Sequence, residues 1–272
     1  MGGRCEAYSL VMGIVTEIVE DWHAALAALA WNLDSGVDET IGDTPINRFA
    51  PSVDAAKPAA EKHAAVPGPG HVQDDPVAAA RTLADQATSL DRLREAVAAF
   101  DHCELKRGAR NTVFADGNPK ARVLVLGEAP GAEEDREGRP FVGRAGQLLD
   151  RMFSSIGLSR TSADAETALY ITNVMPWRPP GNRDPEPSEI AMMLPFVERH
   201  IALVDPDVIV VVGNTPLFAL TGSKGILRAR GNWSEALGKP LLPMTHPAYL
   251  LRNPAAKREA WSDLLSLKAR LR

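Results

Sequence analysis

The sequence predicts an α/β fold, three α/β/α layers built around a central four-stranded parallel sheet. Four short apolar runs, at 123–126, 169–172, 208–212 and 241–244, alternate with stretches of helical periodicity. That alternation is expected of a parallel sheet with helices on both faces. Each run also ends in a polar or glycine-bearing signature: GEAPG at 127–131, TN at 172–173, GN at 213–214 and THP at 245–247. The carboxyl ends of the strands line the ligand crevice of an open parallel sheet. Four such ends on one edge therefore predict a single site.

Taken in order, the first element is a helical segment within 1–42. Trp22, Leu26, Leu29, Ala30 and Leu33 recur at spacings of three and four, and Gly36 is a natural stop. Residues 43–76 are rich in Pro, Ala, Gly and charge and have little to bury, so they read as a disordered linker. A helix is expected from about 76 to 100, with Leu83, Leu90, Leu93 and Val97 on one face. Residues 77–272 form the folded domain in this reading. Its later helices are expected at 145–156, 188–204, 215–220 and 255–271. Pro195 should start a new turn or kink the second of these.

Composition bounds the function. Cys5 and Cys103 lie far apart, which argues against a disulfide framework and for a reducing, cytoplasmic location. The most apolar N-terminal run is interrupted by Glu17, Glu20, Asp21 and His23, so no membrane partner is expected. The net charge of −5 is unevenly spread: residues 1–100 carry 7 basic against 15 acidic side chains, and residues 101–272 carry 23 against 20. Between 224 and 258 there are seven basic residues and one acid, Glu235. Local charge governs phosphate binding.

The motifs leave several readings open. GEAPG is neither a GxxxxGK[ST] nor a GxGxxG loop, which weakens ATP and dinucleotide readings; it is either an ordinary strand-to-loop turn or a turn exposing N–H groups to a ligand. Phe141 is a core side chain or a platform for a flat ring. Asn173 is a turn residue or a reader of a planar edge, since its amide both donates and accepts. His246 is structural or, at the ligand edge of the sheet, functional. AYLLRNP after it either staples the last helix or exposes apolar side chains to a partner.

Three segments, GEAPGAEEDREGRPFVGRAG at 127–146, TNVMPWRPPGNRDP at 172–185 and HPAYLLR at 246–252, resemble the family 4 uracil-DNA glycosylases, in the same order. The similarity covers about 100–272, making 77–272 the catalytic domain. The resemblance implies uracil-containing DNA as the partner, a flipped base and hydrolysis of the N-glycosidic bond. It implies that Phe141 stacks on uracil, that Asn173 reads its edge, and that Glu134 lies near C5 and helps exclude thymine. His246 would donate to a carbonyl oxygen as negative charge gathers there. Ala248, Tyr249, Leu250, Leu251 and Arg252 would wedge into the helix, with Arg183 and other basic residues on phosphates. Ala129 stands where related families place Asp or Asn, so Glu128 is given an active-site role and the water activator stays open.

The family's [4Fe–4S] cluster needs four cysteines. Here Cys103 alone remains, with Lys106, Trp177 and Met193 or Leu194 at the other positions. Those side chains are poor replacements for thiolates, so no cofactor is expected and Trp177 is expected to fill the space. The loop 178–185 has no histidine, so turnover and not a covalent adduct is expected. A monomer is expected. The alternatives are a non-catalytic damaged-DNA-binding module of the same fold and an enzyme acting on free nucleotides.

Overall fold

In the computed structural model the residues described are 75–272, with Leu26 alone before them. The expected helix within 1–42 and all but the end of the linker fall outside them. The domain begins with α1 (Pro76–Gln86), started by Pro76 and by the Asp75 carboxylate, which accepts from Val77 N–H at 3.0 Å. The single helix expected to Phe100 is two: α2 (Leu90–Ala99) starts afresh where the Ser89 hydroxyl accepts from Arg92 N–H. A residue that caps this well competes with helix propagation, which is why the chain turns at 87–89.

The sheet is β1 (Ala115–Gly117), β2 (Val123–Gly127), β3 (Leu169–Asn173), β4 (Val208–Val212), β5 (Ser234–Ala236) and β6 (Lys239–Met244), in the order β1-β3-β2-β4-β6-β5. The four expected strands form its parallel centre. Two three-residue antiparallel strands, too short to read from sequence, add an edge on each side. From β2 the chain moves out to β3, then returns past β2 to β4 and β6. The topological switch point therefore lies between β2 and β4, where such sheets bind ligands.

The remaining helices are α3 (Leu105–Gly108), before the sheet, and α4 (Ala132–Glu137), α5 (Arg144–Ser154), α6 (Pro187–Val204), α7 (Asn214–Thr221), α8 (Ile226–Ala229), α9 (Pro247–Arg252) and α10 (Lys257–Arg270), between and after the strands. Strand alternation divides the core. Leu124, Leu126, Ile209 and Val211 face a cluster with Leu93, Met193, Phe196 and Ile201 from α2 and α6. Val123, Val125, Val208 and Val210 face Leu149, Phe153, Leu264 and Leu267 from α5 and α10. These are the three expected layers. Of the new turn or kink expected at Pro195, the new turn is not seen: helix α6 runs through it as one element. Its Met193, Phe196, Val197 and Ile201 are buried, and that packing offsets the lost backbone bond.

Candidate active site

The strand ends converge on a cleft of about 650 Å³ lined by Glu128, Ala129, Phe141, Asn173, Thr215 and His246 among others. Beyond the last β2–β3 pair the backbones stay joined, with Val174 and Met175 N–H donating to Gly127 and Glu128 carbonyls at 2.9 Å each. Gly127 pairs with Asn173 in register. A Cβ on Gly127 would collide with Asn173 Oδ1 and lie 2.5 Å from Phe141 Cε2. Glycine is therefore required here by close approach, because the two side chains meet over its bare Cα.

Phe141 is buried and held at φ 54°, a left-handed conformation that costs a non-glycine residue about 1–3 kcal/mol. Glu134 grips the loop on one side. One carboxylate oxygen accepts from Val142 N–H at 3.0 Å and Gly143 N–H at 2.9 Å, and the other accepts from Gly131 N–H at 3.1 Å. Glu134 thus ties the GEAPG turn to the aromatic loop while lining the cleft. Arg160, which no sequence motif marked, grips the other side by donating to the Pro140 and Phe141 carbonyls.

Asn173 is buried, and its Oδ1 has no hydrogen-bond partner. Burying a polar atom without a partner is costly, so an unmet acceptor in a cleft wall points to a ligand that donates. Thr245 Oγ1, in the same lining, is likewise buried and unpartnered.

His246 is the N-cap of α9, its Nδ1 accepting from Ala248 N–H at 3.1 Å. An accepting Nδ1 carries no proton, so the neutral ring's proton is on Nε2. Burial, aided by the positive charge of Arg252, lowers its pKa to about 4. At neutral pH it is an uncharged donor. Its ring centroid lies 5.6 Å from that of Phe141. Glu128 is pushed above the ordinary carboxylate range by burial, while the Thr215 hydroxyl donates to it at 2.6 Å and opposes that rise. This bond spans the switch point from β2 to the start of α7. Ala129 contributes no polar side-chain atom.

The residues after His246 form α9 and not an open loop, and the helix sorts them. Leu250 is 0% exposed, packed as a core residue, whereas Leu251 is 36% exposed. Ala248, Tyr249 and Arg252 line the cleft. Arg183, expected on phosphate, lines the cleft as well, but its guanidinium forks onto Glu189 at 2.6 and 2.9 Å. Within 224–258, Arg230 is taken up by Asp263 and Glu259, and Lys239 by Asp205. Lys224, Arg228, Arg252, Lys257 and Arg258 form no salt bridge among the described residues. The basic segment is thus thinner in available charge than its composition suggests.

The model of the uracil DNA glycosylase superfamily matches residues 114–265. The type-4 uracil-DNA glycosylase of Thermotoga maritima is 44% identical over 154 residues, 56% of this chain and 77% of that protein. Those of Sulfurisphaera tokodaii and Saccharolobus solfataricus are each 37% identical, over 190 and 193 residues, covering 66% and 67% of this chain and 84% and 87% of theirs. This chain belongs to the uracil-DNA glycosylase superfamily, with the type-4 glycosylases. Its α/β fold is the one that the alternation of apolar runs and helical stretches predicted.

A four-thiolate cluster does not fit the residues that this glycosylase-family chain presents. Cys103 is the sole cysteine among the described residues and is buried. Trp177 and Met193 lie with Cys103 and Leu105 in one apolar core cluster. The Trp177 indole N–H donates to Thr112 Oγ1 at 3.1 Å, and Lys106 pairs with Asp101. Apart from Cys103, none of these side chains supplies a thiolate.

Proposed function

We propose that this chain hydrolyses the N-glycosidic bond of uracil in DNA, with residues 77–272 as the catalytic domain. The observation that carries the reading is His246, a partly buried neutral imidazole whose ring proton is on the nitrogen left free by its cap. As the bond breaks, electrons move onto uracil and the sugar gains oxocarbenium character. A pre-oriented neutral donor at the developing oxyanion lowers that barrier without being charged beforehand. Asn173 supports the choice of base: its unmet Oδ1 suits a ring N–H, and its Nδ2 can donate to the neighbouring carbonyl. Phe141 supplies the stacking face, and Glu134 acts on the pocket through the loop it latches.

Glu128 carries the negative charge that faces the sugar cation and accepts from the attacking water. Ala129 leaves that water to be held by backbone groups. Leu251, Tyr249, Ala248 and Arg252 fill the space of the flipped nucleotide, with Leu250 anchoring them in the core. Arg183 contributes by fastening the 178–185 segment through Glu189. The protein works as a cytoplasmic monomer in this reading. It lacks an iron–sulfur cluster, the space being filled by Trp177; a purified protein holding stoichiometric iron and absorbing in the visible refutes that part.

Ala129 favours one other reading, a module that binds damaged DNA without cutting. Incubation with uracil-containing single- and double-stranded oligonucleotides, followed by alkali, separates the two. Strand breaks at uracil are expected; binding without breaks overturns the proposal.

A further inference from the structure

The side chain that holds Phe141 in place is far from every motif. Arg160 follows α5 and is 6% exposed in its side chain. Its Nη1 donates to the Pro140 carbonyl at 2.8 Å and its Nη2 to the Phe141 carbonyl at 3.0 Å. Successive carbonyls of an extended chain point to opposite sides. The left-handed φ of Phe141 turns these two to the same side, where one planar guanidinium can take both. The left-handed conformation and the fork therefore fit each other.

The fork is itself braced. Asp150 on α5 accepts from Arg160 Nε at 2.7 Å, and Asp116 on β1 accepts from Nη1 at 3.1 Å. Asp116 also pairs with Arg139 at 2.9 Å, and although burial pushes its carboxyl up, the two arginines hold it below the ordinary range. Gly146 completes the arrangement: a Cβ there would overlap the Phe141 carbonyl carbon and oxygen. Glu134 meanwhile takes the N–H groups of Val142 and Gly143. A cation thus holds the carbonyls of the loop and an anion its amides, leaving the ring little freedom.

We infer that Arg160 is a positioning residue for uracil recognition, acting solely through Phe141 by clamping its backbone in the left-handed conformation. This rests on Phe141 as the platform for the base. Lysine retains the charge but cannot grip two carbonyls and two carboxylates in one plane. A ring displaced by an ångström can cost on the order of a hundredfold in rate.

The experiment is a double-mutant cycle of R160K with F141A, read by single-turnover excision from a single-stranded uracil oligonucleotide and by inhibition with free uracil. R160K is expected to lose about 10- to 100-fold in rate, with uracil inhibition weakened in parallel. R160K/F141A should be no slower than F141A, because the clamp has nothing left to hold. Multiplying losses, or a folded R160K with the original rate and uracil inhibition, overturn the inference. Should F141A itself change neither excision nor uracil inhibition, the platform reading falls first, and separately. D150N, at a half-exposed brace, serves if R160K does not fold. It is expected to weaken uracil inhibition several-fold when Phe141 is present and to add no loss in F141A, and an unchanged D150N overturns the clamp.

Discussion

Replacing His246 by asparagine isolates the chemistry assigned to it. Asparagine is among the best N-caps, so its Oδ1 can take over the bond from Ala248 N–H that His246 Nδ1 accepts at 3.1 Å. The start of α9 should survive, and a lost cap would in any case cost only about 1 kcal/mol. The Nε2–H donor, however, is gone, because the shorter amide cannot extend past the position of the ring. One donor to a developing oxyanion is worth about 3–4 kcal/mol, so the single-turnover rate should fall by about 10²–10³. Affinity for a uracil oligonucleotide with a non-hydrolysable glycosidic bond should change by no more than a few-fold, since the interaction strengthens as charge develops. The rate is measured by alkali cleavage after rapid mixing, and affinity by fluorescence anisotropy. Equal losses in both, or a rate loss below about tenfold with melting unchanged, would refute the leaving-group role.

Four further outcomes follow from the geometry. Leu251→Ala should slow excision from duplex DNA by about tenfold, roughly 1.4 kcal/mol, and leave single-stranded substrate nearly unchanged. Neighbouring Leu250→Ala should instead cost about 2–5 kcal/mol of stability by leaving a core cavity, as chemical denaturation reads it. The protein should lose stability as pH falls from about 6.5 towards 4. His246 and the buried His200 have folded pKa values lowered to about 4 and about 3, so the unfolded chain binds their protons first, at about 1.4 kcal/mol per pH unit for each. His246→Asn should make the melting temperature less acid-sensitive over that range, and an identical slope would count against the neutral ring. Glu128→Gln should slow excision at neutral pH. It should also remove the loss of rate that Glu128 protonation causes on the acid side, read from a pH–rate profile.

Much of the layout could be read from residues alone because strands and helices advertise themselves by period. The four parallel strands surfaced as apolar runs buried on both faces. The edge strands did not, since three residues of ADG or SEA carry no pattern. Nor did the break at 87–89, where a serine's hydroxyl outweighed an unbroken apolar stripe. Within the cleft, Phe141, Asn173 and His246 stood out because each sat beside a glycine-rich or proline-marked strand end. Thr215 and Thr245 shared those strand ends without standing out, since a small hydroxyl there is common, and Arg160 had no mark at all.

The sequence by itself determined the fold class, the edge of the sheet where the cleft opens, and which side chains could meet a planar base. Those are consequences of periodicity and of chain direction, which are local. Tertiary structure alone decided what each group is free to do. It showed that Glu134 and Arg160 are spent on opposite sides of one loop, that Leu250 turns inward while Leu251 turns out, and that Arg183 and Arg230 are held by carboxylates. It also set the tautomer and charge of His246, through one backbone N–H and partial burial beside Arg252. Hydrogen-bond partners, burial and electrostatics depend on residues distant in the chain that only folding brings together.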